Sequence, residues 1–144
     1  MKIEVREQPF EPWTEVAAYE RKALKPGACG AAAVFVGTMR DMSGDDRVQA
    51  MRLEHYAGMT EKHLARIAEE AMRRWPVNDA LILHRVGDLK PGDPIVLVAA
   101  WSAHRADAFA ACRFLIEDLK SRAPFWKKEQ LEAGVRWVEE NTPG

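Results

Sequence analysis

The chain has 144 residues, 47% of them hydrophobic and 30% charged, and its 21 Lys and Arg nearly cancel 22 Asp and Glu to leave a net charge of −1. That length suits one domain with a real core and leaves no room for a second independent one. The charge balance offers no global attraction to nucleic acid or an anionic membrane, no apolar run approaches the roughly 18 residues of a membrane span, and the N-terminus lacks a signal-like apolar stretch, so a cytoplasmic protein is expected.

Residues 2–6 alternate polar and apolar side chains and predict a short strand closed by Pro9. Beyond Pro12, the positions of Trp13, Val16, Ala17 and Leu24 fall near helical spacing, which predicts about three helical turns before Pro26-Gly27. Residues 30–39 are small and β-branched and read as a buried strand that delivers Arg40 to its end. The polar residues 41–47, with one glycine, predict a mobile loop. Residues 48–56 resume an extended pattern, with Met51, Leu53 and His55 on one face and Arg52 and Glu54 on the other. Thr60 then caps a helix with Leu64, Ile67, Ala68, Ala71 and Trp75 on a single stripe, ended by Pro76. Residues 80–84 and 94–101 are two more strands, and Lys90-Pro91-Gly92-Asp93 puts proline and glycine where a type II turn favours them, so a hairpin is the economical arrangement. Ser102-Ala103-His104-Arg105 leads into a last helix whose packing stripe is Phe109, Cys112, Ile116 and Leu119. Residues 135–138 suit a short final strand or an arm.

The stretch 119–129 stands apart chemically. Between Leu119 and Lys128 lie four cations, Lys120, Arg122, Lys127 and Lys128, and no acid, set around Pro124, Phe125 and Trp126. Lys120 follows Ile116 by four residues, about 40° away round a helix, which puts it at the margin of the buried face. Desolvation and neighbouring cations disfavour the charged form of such a lysine and suit it to nucleophilic or acid/base work. The blander reading is a set of solvated cations whose stems cover apolar surface. The same choice stands for Arg40, at a strand end, between anion contact and solvated charge. His104-Arg105, where a strand gives way to a helix, fits an anion site or an ordinary capping pair. Aromatics among cations would also suit single-stranded nucleic acid, against which the absence of a wider basic stripe counts. His55, His63 and His84 have no ligand-like spacing, and GxSxG, P-loop and GxGxxG motifs are missing, so neither metal nor cofactor is expected. Cys29 and Cys112, far apart and in no CxxC pattern, read as reduced, buried thiols.

Four segments, residues 53–62, 84–93, 102–105 and 119–129, together and in this order resemble those of the large, catalytic subunit of molybdopterin synthase. The resemblance runs over residues 30–137. It implies an α+β fold containing an α/β-hammerhead element, with a mixed or antiparallel sheet packed by amphipathic helices. It implies a homodimer within a heterotetramer, with a small ubiquitin-like subunit at each end. The small subunit's C-terminal Gly-Gly thiocarboxylate would enter the pocket and give sulfur to cyclic pyranopterin monophosphate, two transfers making the dithiolene of molybdopterin. By the same resemblance Lys120 and Lys127 are the catalytic lysines, Arg40, His104 and Arg105 the other polar pocket positions, and Phe35 and Glu129 residues that shape the site. Some of these would act from the neighbouring subunit. Ile116 departs from members that carry methionine there. A non-catalytic module holding the tail of a ubiquitin-like protein is the alternative, since a cationic channel suffices to hold a carboxylate.

Overall fold

The most apolar stretches of the chain, β5 (Val77–Arg85) and β7 (Pro94–Ser102), pair antiparallel at the centre of the computed structural model, which describes residues 1–132 and 134–138. β1 (Lys2–Arg6) adds to β5 in parallel and β2 (Ala31–Thr38) to β7 antiparallel, giving a four-stranded sheet in the order β1-β5-β7-β2. Near-continuous apolar sequence in β5 and β7 follows from burial on both faces. On one face α2 (Met59–Arg74) and α3 (Arg105–Arg122) pack Leu64, Ile67, Ala111 and Leu115 onto Ile82, Val96 and Val98. On the other, α1 (Pro12–Ala23) covers Leu81, Leu97 and Trp101 with Val16, helped by Phe10.

A second sheet carries the chain back over the end of the first. β3 (Met42–Ser43), β4 (Asp46–His55), β8 (Phe125–Leu131) and β9 (Gly134–Val138) lie in that order, with β6 (Gly87–Leu89) also paired to β4. Met51, Leu53, Val86, Leu89 and Ile95 form its own small core. The expected α+β class, with mixed and antiparallel pairing and amphipathic helices, is the one found.

Several local expectations change in the folded chain. Residues 41–47 form a tight β3–β4 hairpin rather than a mobile loop, with Ser43 opposite Asp46 and Gly44 at φ 62°, where a two-residue turn requires a left-handed first residue. β2 is an edge strand with alternating exposure, because only β7 pairs with it among the described residues. The link from β5 to β7 is more than a hairpin turn: the chain swings out at Gly87, φ 88°, to form β6 before the Lys90–Asp93 turn, where Asp93 N–H donates to Lys90 O at 3.0 Å and Gly92 has φ 92°. Thr60 does not cap α2. Gly58 holds the cap position, its N–H donating to the Glu61 carboxylate at 2.9 Å, while the buried Thr60 Oγ1 donates to Pro124 O at 3.2 Å and ties α2 to the start of β8. Trp13 on α1 is 60% exposed, and Phe109, assigned to the packing stripe of α3, is 67% exposed, because Ala108 and Ala111 with Cys112, Leu115, Ile116 and Leu119 supply the face that α3 lays on the sheet.

Candidate active site

The corner between α3 and β8 follows from one proline. Ala123 leaves the helix with ψ 139°, as a residue before proline must, and Phe125 enters a strand paired to β4 with Phe125 opposite His55 and Lys127 opposite Leu53. Strand alternation then sorts the cationic stretch. Phe125, Lys127 and Glu129 turn inward, while Trp126 and Lys128 turn outward, Trp126 edge-on to Tyr56 at 4.4 Å and Lys128 over Trp137 at 5.6 Å. Arg122 pairs with the buried Asp118 carboxylate, which His63 Nε2 also meets at 3.0 Å. Of the four cations adjacent in sequence, Lys120 and Lys127 alone line the cavities at this corner.

Two cavities meet at those lysines. A wide cleft of about 570 Å³ is lined by Phe35, Gly37, Arg40, Met42 and Glu129 among others, and an enclosed chamber of about 160 Å³ by Leu53, His84, Leu119, Ser121 and Phe125 among others. Lys120, Lys127, Ile95 and Val138 belong to both. Burial, then the charge of Lys127, pushes Lys120 down to about 8, so about a tenth of it is free amine at pH 7. Burial also lowers Lys127, against the opposing pull of Glu129. Glu129 is itself only 7% exposed and is held by Arg136 Nε at 3.2 Å, whose guanidinium also meets Asp46 at 2.8 Å. Two desolvated cations at the mouth of a narrow chamber favour an anionic group, and one of them is poised to lose its proton.

Phe35, Arg40, Lys120, Lys127 and Glu129 all line the wide cleft. His104 and Arg105 are not. They stand exposed at the other end of α3, where His104 occupies the N-cap position without a side-chain cap bond, about 22 Å from Lys120 at 1.5 Å per residue. Sequence reasoning overlooked two residues of the site: Arg136, which orients Glu129, and His84, a polar side chain inside an apolar strand, which was the available signal. Burial pushes the Cys112 thiol up to about 11 and raises Cys29 as well, so neither is a thiolate at neutral pH. Among the described residues no three His, Cys, Asp or Glu side chains gather as a metal would need. A larger cavity of about 670 Å³ between α1 and the start of β2 contains none of the candidate residues.

The chain resembles known proteins over nearly its whole length. The MoaE protein family matches residues 5–122. The molybdopterin synthase catalytic subunit of Ralstonia nicotianae is 54% identical over 137 residues, covering 95% of this chain and 76% of that protein. Among solved structures, the molybdopterin biosynthesis MoaE protein from Burkholderia ambifaria superposes with a TM-score of 0.81 at 49% identity, covering 99% of this chain and 92% of that one. The molybdopterin synthase from Staphylococcus aureus does so with a TM-score of 0.85 at 33% identity, covering 96% and 97%. With the fold, the two central lysines and this similarity in agreement, the chain belongs to the MoaE family, that of the molybdopterin synthase catalytic subunits.

Proposed function

We propose that this chain is the catalytic subunit of a molybdopterin synthase, a single-domain sulfurtransferase of molybdenum cofactor biosynthesis. It takes sulfur from the C-terminal thiocarboxylate of a small ubiquitin-like subunit and places it on cyclic pyranopterin monophosphate. The observation that carries this is the meeting of two cavities of different shape at Lys120 and Lys127. A chamber of about 160 Å³ suits a tail without side chains, and a cleft of about 570 Å³ suits a fused-ring substrate. Arg40 at the cleft offers a guanidinium to the phosphate. Phe35 supplies an apolar wall and Glu129 restrains Lys127. Lys120, partly deprotonated, moves protons at the acyl group, or its free amine attacks the acyl carbon to form an amide as the carbon–sulfur bond breaks and the sulfur stays on the pterin. A module that merely held a carboxylate tail would need the chamber but not the cleft.

His104 and Arg105 join this site from a second copy of the chain. Gly30 lies so close to Ala103 that a Cβ there would stand 2.3 Å from the Ala103 carbonyl oxygen, so the start of α3 sits beside the start of β2. Arg40 follows the far end of β2. Antiparallel pairing of two β2 edges about a two-fold axis sets each start against the other's end, and hence His104-Arg105 of one copy toward the Arg40 end of its mate. The exposed Phe109 with Ala33, Val34 and Phe35 provides an apolar groove beside that edge. With one small subunit at each outer end, the assembly is a heterotetramer.

The test is conversion of cyclic pyranopterin monophosphate by the purified chain with thiocarboxylated small subunit. Product is expected with the parent and not with Lys120→Ala, whose folding and partner binding persist. Conversion by Lys120→Ala at the parental rate would refute the assignment, and tail binding without any conversion by the parent would leave only a binding module.

A further inference from the structure

The second sheet curls on itself, and one side chain joins its two edges. In the order β3-β4-β8-β9, β3 and β9 are opposite edges, which in a flat sheet stand about 14 Å apart at three strand spacings, further than one side chain spans. Arg136 on β9 nevertheless reaches the hairpin at the other edge: Nη1 donates to Asp46 Oδ2 at 2.8 Å and Nη2 to Ser43 O at 3.3 Å, while Nε donates to Glu129 Oε1 at 3.2 Å. Glu129 is its cross-strand partner on β8, and Ser43 and Asp46 face each other across the β3–β4 turn. A bulge in β4 between Val48 and Ala50 bends that strand and brings the hairpin round. The wide cleft lies inside the curl, lined by Met42 and Ser43 from the hairpin, Met51 from β4, Lys127 and Glu129 from β8 and Val138 from β9. By itself the hairpin is weakly held. β3 has two residues, and the Arg47 ion pairs with Asp41 and Glu132, at 3.6 and 3.7 Å, join exposed groups.

We propose that Arg136 is a positioning residue that pins the β3–β4 hairpin to β8 and so fixes the width of the cleft that receives the substrate's ring system. A guanidinium offers N–H donors in a rigid fork, and here its three nitrogens serve three acceptors on two strands and a turn at once. Arg136 does not itself line the cleft, whereas Val138, two residues further along the same face of β9, does. It therefore acts through Ser43, Asp46 and Glu129 rather than on a ligand. Because the Glu129 carboxylate pulls against the burial of Lys127, one guanidinium sets both a wall of the cleft and the acid beside a reactive amine. The role rests on the proposed function only for what enters the cleft.

Amide hydrogen exchange of the whole chain reads the pin without substrate. The Val48 N–H, which donates to Asp41 O across the base of the hairpin at 2.7 Å, is expected to exchange about tenfold faster in Arg136→Met, while amides of β7 exchange as in the parent. Arg47→Ala, which removes the hairpin's other cation, changes the Val48 rate by less than about twofold. Sulfur transfer, with thiocarboxylated small subunit saturating, supplies a readout that a merely structural role would not move. Asp46→Ala cuts a tie to the hairpin and leaves the Glu129 pair in place, so it raises KM for the pterin about threefold with kcat unchanged, and Arg136→Met raises KM about tenfold. Unchanged Val48 exchange in Arg136→Met, or an equal rise in Arg47→Ala, overturns the proposal. A rise spread equally through β7 would mean general loss of stability and overturns it too, as does a fall in kcat at unchanged KM in Asp46→Ala. Exchange that responds as stated, in a parental chain that fails to convert the pterin, would refute sulfur transfer while leaving the pin intact.

Discussion

The two ends of α3 hold the same kind of residue in opposite circumstances. At its start, His104 and Arg105 are exposed with no wall around them; at its finish, Lys120 is half-buried between two cavities and pushed down to about 8. At the finish two desolvated amines share a cleft with Arg40, while at the start the cations line none of the cavities described above. The difference teaches that a cation becomes chemical only when the fold removes its water, and under the proposed two-fold pairing a second copy would bring a pocket to the exposed pair.

The contrast can be broken most severely at the buried end. Lys120→Ala is expected to lower single-turnover sulfur transfer by at least about a thousandfold, while Lys128→Ala, one residue beyond Lys127 on the outward face of β8, changes it by less than about twofold. Equal losses in the two would mean that the inward and outward lysines are not distinct. Mixing tests the two ends together. His104→Ala and Lys120→Ala chains, each inactive alone, are expected to recover about a quarter of parental activity when equal amounts are unfolded and refolded together, since half the dimers are mixed and each mixed dimer has one intact site. No recovery would place both residues' work within one chain. Arg40→Ala is expected to weaken precursor binding about tenfold by calorimetry and leave small-subunit binding unchanged, and parallel losses would remove the phosphate role.

A smaller effect concerns stability. The folded value of His84, about 3, lies below its ordinary 6.5, so between those values the unfolded chain binds a proton that the folded chain refuses. Its contribution is therefore complete above pH 6.5 and is lost as pH falls toward 3. Urea unfolding of the parent should lose stability on acidification faster than His84→Gln, by up to about 1.4 kcal/mol per pH unit across that window. Parallel curves would mean that the imidazole is not held neutral.

The chain order of strands and helices was legible wherever periodicity was strong, as in α2, β5 and β7, because burial on a stripe or on both faces leaves that mark in any sequence. The stretch 41–47 was misjudged because polar composition is shared by loops and tight hairpins, and only pairing with β4 distinguishes them. Phe109 was misjudged because its spacing fits the stripe of Cys112, Ile116 and Leu119, which is buried, while the neighbouring Ala108, Ala111 and Leu115 complete that face without it.

For the site, the sequence by itself determined the composition: the motifs, the proline that ends α3, and the run of cations around two aromatics. It could not separate Lys127 from Lys128, or Lys120 from Arg122, because adjacent charges look alike until strand alternation and a buried Asp118 send them in different directions. Only the tertiary structure decided that Lys120 and Lys127 share two cavities, that His84 lines the smaller one, and that His104-Arg105 lies a helix length away. The physical reason is that reactivity here comes from lost hydration and from neighbours on α3, β5 and β8, contacts that connect residues distant in sequence and leave no local pattern in it.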